Sequence, residues 1–109
     1  MKRILITGSQ HSLLPQMAEM LQHPDREVLS AFDSATAMRL LKLLPFDLVV
    51  QSGGFGETTD RWLMQTARSS HNAVQWLRRI GPIEELPMLV QQALMHSENN
   101  LEEDNQEWI

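Results

Sequence analysis

Apolar and polar positions along this 109-residue chain follow two alternating rhythms, and the changes between them predict its elements. Ile4, Leu5 and Ile6 within residues 2–7, and Leu48, Val49 and Val50 after Phe46-Asp47, are short continuous apolar runs. Runs of that length suit strands covered on both faces by helices. Between His11 and His23 the spacing of Leu13, Leu14, Met17, Met20 and Leu21 is helical, with Ser12 as N-cap and Pro15 in the first turn. Pro24-Asp25 stops this helix, and residues 27–31 predict a second strand. Asp33 or Ser34 then caps a helix through Leu44, with Ala37, Met38, Leu41 and Leu44 facing the sheet, and Pro45 ends it. After the central strand, Gly53, Gly54 and Gly56 make a glycine-rich turn into a third helix reaching Ser69. Thr58, Thr59 or Asp60 would cap that helix, and Trp62, Leu63 and Thr66 form its more apolar side. Residues 73–77 predict a fourth strand and Gly81-Pro82 a break. Ile83, Leu86, Leu89, Val90, Ala93 and Leu94 mark a final helix with Pro87 in its first turn. Strands and helices alternate without internal repeats, which argues for one parallel α/β sheet.

Length and composition fit one domain over residues 1–96, followed by a polar tail, 97–109, with too few apolar groups to offset its ordering entropy. All nine Lys and Arg precede residue 80, and five of the fourteen acids follow residue 96, so the tail carries the whole net charge of −5. A balanced body without a basic stripe argues against nucleic-acid binding. No apolar run can span a bilayer, and Ile4-Leu5-Ile6 behind Lys2-Arg3 is too short for a signal peptide, so a cytoplasmic protein without membrane contact is expected. Without cysteine there is no disulfide, thiolate nucleophile or thiolate metal site. His11, His23, His71 and His96 have no ligand spacing, so neither a metal nor another cofactor is expected. A Ser52–His11–Asp60 triad can be assembled on paper, but the Gly-x-Ser-x-Gly pattern is absent and no matched acid–base pair replaces it. An enzyme is therefore not expected.

The run Ile4-Leu5-Ile6, the alanine-leucine pattern from Ala31 to Leu41 and above all Phe46-Asp-Leu-Val-Val50 resemble the receiver domains of two-component response regulators. The resemblance covers roughly residues 2–77 and implies a flavodoxin-like three-layer sandwich with a parallel sheet in the order 2-1-3-4. No room remains between Leu77 and Ile83 for the family's fourth helix and fifth strand, so the fifth strand is expected to be missing. The acidic pair that holds Mg²⁺ in the family falls on Gly8 and Ser9. The phosphoacceptor aspartate, five residues beyond Asp47, falls on Ser52. The switch Ser or Thr falls near Arg78, and the family's lysine has no counterpart. The resemblance thus implies a non-phosphorylatable pseudo-receiver, serving as a regulatory or protein–protein interaction module.

A different function is open beside this one. In the order 2-1-3-4 the turns after strands one and three are neighbours, at the position where such sheets bind ligands. Thr7, Gly8, Ser9, Ser52, Gly53 and Gly54 would gather N–H groups and hydroxyls there, with Arg78 or Arg79 nearby, as a site for a small anion or phosphate metabolite. Tight turning alone also accounts for these glycines. Trp62 and Trp76 are expected to pack in the core, Trp76 on an open sheet edge. The apolar face of the last helix, Ile83, Leu86, Val90, Ala93 and Leu94, is wider than a four-stranded sheet needs, and a homodimer through this helix or the strand-four edge would cover the surplus.

Overall fold

The structure, a computed structural model, describes residues 1–78 and 82–99. Four strands, β1 (Lys2–Thr7), β2 (Arg26–Ala31), β3 (Leu48–Gln51) and β4 (Gln75–Arg78), form a parallel sheet in the order β2-β1-β3-β4. The helices between them are α1 (Leu14–Met20), α2 (Ser34–Leu43) and α3 (Glu57–Ser70). A short 3₁₀ turn, Ile83–Glu85, leads into α4 (Leu86–Asn99). This is the expected flavodoxin-like arrangement, with four strands in the expected order.

The unbroken apolar runs divide by parity, because successive strand residues point to opposite faces. Ile4, Ile6, Leu48, Val50 and Leu77 pack with Leu14, Met17 and Leu21 of α1 and with Leu86, Val90 and Ala93 of α4. Leu5, Val49 and Trp76 face the other way, onto Ala37 and Leu41 of α2 and Leu63 and Ala67 of α3. Phe46, fully buried, closes that second layer where the chain enters β3. Helices on both faces explain why the strands carry no polar alternation.

Several local expectations are corrected. Ser12 does not cap α1: the N-cap is Leu13, without a side-chain hydrogen bond, and the helix closes at Met20, before Pro24. Helix α3 starts behind Gly56 rather than at Thr58, Thr59 or Asp60, because the Asp60 carboxylate turns back to accept from the Phe55 N–H at 3.1 Å. Trp62 is not in the core but 60% exposed, whereas Trp76 is 3% exposed. The apolar face of the last helix is absorbed inside the domain, where Leu86, Val90, Ala93 and Leu94 lie in the α1-side core with Ile83 packed against them. Of the described apolar residues of α4, Met88 and Met95 are exposed. The helix itself runs to Asn99. Arg79, the Gly81 break and the tail from residue 100 lie outside the described residues. No helix among the described residues is long and apolar enough to cross a membrane.

Candidate functional site

The turns after β1 and β3 meet at the carboxyl edge of the sheet, and backbone hydrogen bonds join them directly. Ser52 N–H donates to the Thr7 carbonyl at 2.9 Å, Gln10 N–H to the Ser52 carbonyl at 3.2 Å and Ser9 N–H to the Gly53 carbonyl at 3.4 Å. The Ser52 hydroxyl, 1% exposed, donates to Gln10 Oε1. Gly8 lies at φ +143°, and a Cβ built there would stand 1.9 Å from the Ser52 carbonyl oxygen. A Cβ on Gly53, at φ +86°, would stand 2.5 Å from Ser9 Oγ. Glycine is required at position 8 because the two backbones touch there, and it is favoured at position 53 by the positive φ and by the Ser9 and Gln10 side chains packed against it.

The expected site residues are therefore divided. Gly8, Ser9, Ser52 and Gly53 come together. Thr7 sits among them in sequence, but its buried hydroxyl turns away and donates to the Ala31 carbonyl at 2.8 Å. Gly54 and Arg78 line a neighbouring open cavity of about 650 Å³, with Asp60, Arg61 and Met64 of α3. The Ser9, Gln10 and Ser52 N–H groups that an anion would use are already committed to carbonyls. The paper triad is not assembled, since Ser52 bonds Gln10, His11 stacks on Phe32 with ring centres 6.0 Å apart, and Asp60 faces Gln51.

Two features beside the site were not expected from the sequence. The first is Gln10, the partner of Ser52, which lies in the position of a polar loop residue without any pattern to mark it. The second is a buried relay beneath the glycine turn. The Trp76 indole N–H donates to Gln51 Oε1 at 2.9 Å, and Gln51 Nε2 donates to Asp60 Oδ1 at 3.0 Å and to the Gly53 carbonyl at 3.3 Å. Asp60 Oδ1 also accepts the Phe55 N–H, so one carboxylate fixes both the turn and the start of α3. A polar Gln51 closing an otherwise apolar strand was the available signal. At the opposite edge of the sheet Asp47 accepts the Arg3 N–H at 2.9 Å and stands 3.4 Å from His71 Nε2. The Asp of the Phe46-Asp-Leu-Val-Val50 motif is thus a fastener between β1 and β3.

Comparison with known proteins gives the same fold. No family model matches the sequence, and no curated protein matches it. Among solved structures, the receiver domain of the hybrid histidine kinase CckA superposes with a TM-score of 0.68 at 22% identity, covering 84% of this chain and 98% of that one. The signal receiver domain of an HD domain-containing protein from Pseudomonas fluorescens Pf-5 gives 0.61 at 21% identity, over 96% of this chain and 93% of its own. An adenylate cyclase from Rhodopirellula baltica gives 0.70 at 15% identity, over 89% of this chain and 90% of that one. The sheet order, the helices on both faces and these superpositions together give this chain the fold of a receiver domain.

Proposed function

We propose that this chain is a receiver-fold regulatory module that binds protein partners and accepts no phosphoryl group. The observation that carries the reading is the contact between Gly8 and the Ser52 backbone. Phosphoryl transfer in this fold needs carboxylates to hold Mg²⁺ and a carboxylate to receive the group. At position 8 the backbone conformation and the Ser52 carbonyl leave no volume for any side chain, and Ser52 presents a hydroxyl already bonded to Gln10. Neutral groups and a direct turn-to-turn contact occupy the place where charge would have to be gathered. A serine hydroxyl without a neighbouring general base is a weak nucleophile. Among the described residues this edge offers no matched acid–base pair for another reaction, so the module is read as non-enzymatic, and a cytoplasmic location is proposed with it.

Mg²⁺ with beryllofluoride, the stable mimic of an aspartyl phosphate, tests the reading. The account expects no rise in Tm, and a rise that depends on both components would refute it. The anion-binding alternative retains the exposed Ser9 hydroxyl as a donor, and a Tm raised by inorganic phosphate alone would favour it.

Self-association belongs to the same reading, but its surface moves. Val90 is fully buried and cannot serve a contact, whereas Met88 and Met95, 56% and 51% exposed and two helical turns apart, stand on an outward ridge of α4 with the exposed Gln91 and Gln92 between them. A two-fold contact along this ridge is self-complementary and closes without further growth.

A further inference from the structure

Among the described residues the sheet ends at β4, and one side of that strand has no neighbour. The Gln75 N–H donates to the Asp47 carbonyl at 3.0 Å, which turns the backbone groups of Gln75 and Leu77 toward β3. Alternation along the strand then turns the N–H and C=O groups of Trp76 and Arg78 outward. Beside this edge α3 carries Arg61, Met64 and Arg68 at i, i+3 and i+7, which is one stripe of a helix. The open cavity of about 650 Å³ lies between the upper part of this stripe and Arg78. Arg61 is tied to Glu57 at 3.3 Å, but neither Arg68 nor Arg78 has an ion-pair partner among the described residues. On the strand itself Gln75 Oε1 is buried without a donor.

We propose that this edge receives an extended acidic segment of a partner protein, which adds a strand beside β4 and sets its carboxylates against Arg68 and Arg78. The proposal rests on the interaction-module reading and names the class of partner. Backbone pairing to Trp76 and Arg78 supplies affinity for any extended chain, and the guanidinium groups of Arg68 and Arg78 select the acidic one. A second copy fits this edge poorly. Antiparallel pairing of β4 with its copy would bring two α3 stripes together, each with Arg61, Arg68 and the adjoining Arg78, against Glu57 and the largely buried Asp60 of either chain. Like charges set directly opposite one another oppose such pairing.

The test uses the whole chain, a short end-blocked peptide alternating glutamate and valine, and a matching peptide with lysine for glutamate. Titration followed by amide NMR should shift the Trp76 and Arg78 resonances with the glutamate peptide and slow their hydrogen exchange. Added salt should weaken the effect. The double variant Arg68→Glu, Arg78→Glu should lose about tenfold or more in affinity for the glutamate peptide, each factor of ten being ~1.4 kcal/mol, and gain affinity for the lysine peptide. Four results would each overturn the proposal: equal binding of both peptides, shifts confined to another surface, a thymine oligonucleotide that competes as well as the glutamate peptide, or Trp76 and Arg78 amides already protected in the chain alone. The parent reading fails on a different readout, phosphoryl transfer, which none of these measurements touches.

Discussion

A side chain at position 8 would have to share space with the Ser52 carbonyl, while one at position 56 would meet nothing within 4 Å, although both glycines have positive φ. Gly56→Ala should therefore cost only the backbone term, roughly 1 to 3 kcal/mol. Gly8→Ala should add roughly 1 to 3 kcal/mol for the overlap. Urea denaturation of the two variants checks the order, and equal losses would mean that the turns part easily. Asp33 gives a pH-dependent counterpart. Its carboxylate, held below the usual range first by the Thr36 backbone N–H, caps α2 at 2.7 Å. Because the folded value lies below the unfolded one, this stabilisation is present above the unfolded value of 3.8 and is lost as pH falls through the folded value. Wild type should exceed Asp33→Ala in Tm at neutral pH, and the gap should narrow in strong acid. The Asp33 cap was legible as an Asp before a helical pattern, whereas Gln10 was not, because its role depends on a turn more than forty residues away in sequence.

Strands and their order were legible because a parallel sheet covered on both faces demands the unbroken runs Ile4-Leu5-Ile6 and Leu48-Val49-Val50. Helix faces were less so. Trp62 adjoins Leu63 in sequence, and a mixed pattern left open which of the two turns inward. The relay of Trp76, Gln51 and Asp60 could not be read at all, since it requires the register that sets Gln51 beside Arg78 and Val49 beside Trp76. That relay ties β4 to β3 and to the first turn of α3. Trp76→Phe keeps most of the packing but leaves Gln51 Oε1 buried without its donor, and should cost roughly 1 to 3 kcal/mol. A denaturation midpoint unchanged from wild type would show that Gln51 finds another donor.

At the scale of the molecule, the sheet stops at β4 among the described residues and the last helix buries most of its own apolar face, so the β4 edge and the Met88–Met95 ridge are two surfaces open to partners. Met88→Glu with Met95→Glu should convert a dimer to a monomer in light scattering at micromolar concentration while leaving Tm close to wild type. A wild type already near 12.5 kDa would remove the dimer from the account. The central claim is that a receiver fold has been kept while its phosphoryl chemistry has been closed off by contact between the turns after β1 and β3. Incubation with acetyl phosphate and Mg²⁺, followed by intact-mass measurement, tests it most directly. The account predicts the unmodified mass at every time point, and a stoichiometric, acid-labile phosphoryl group on this chain would contradict it.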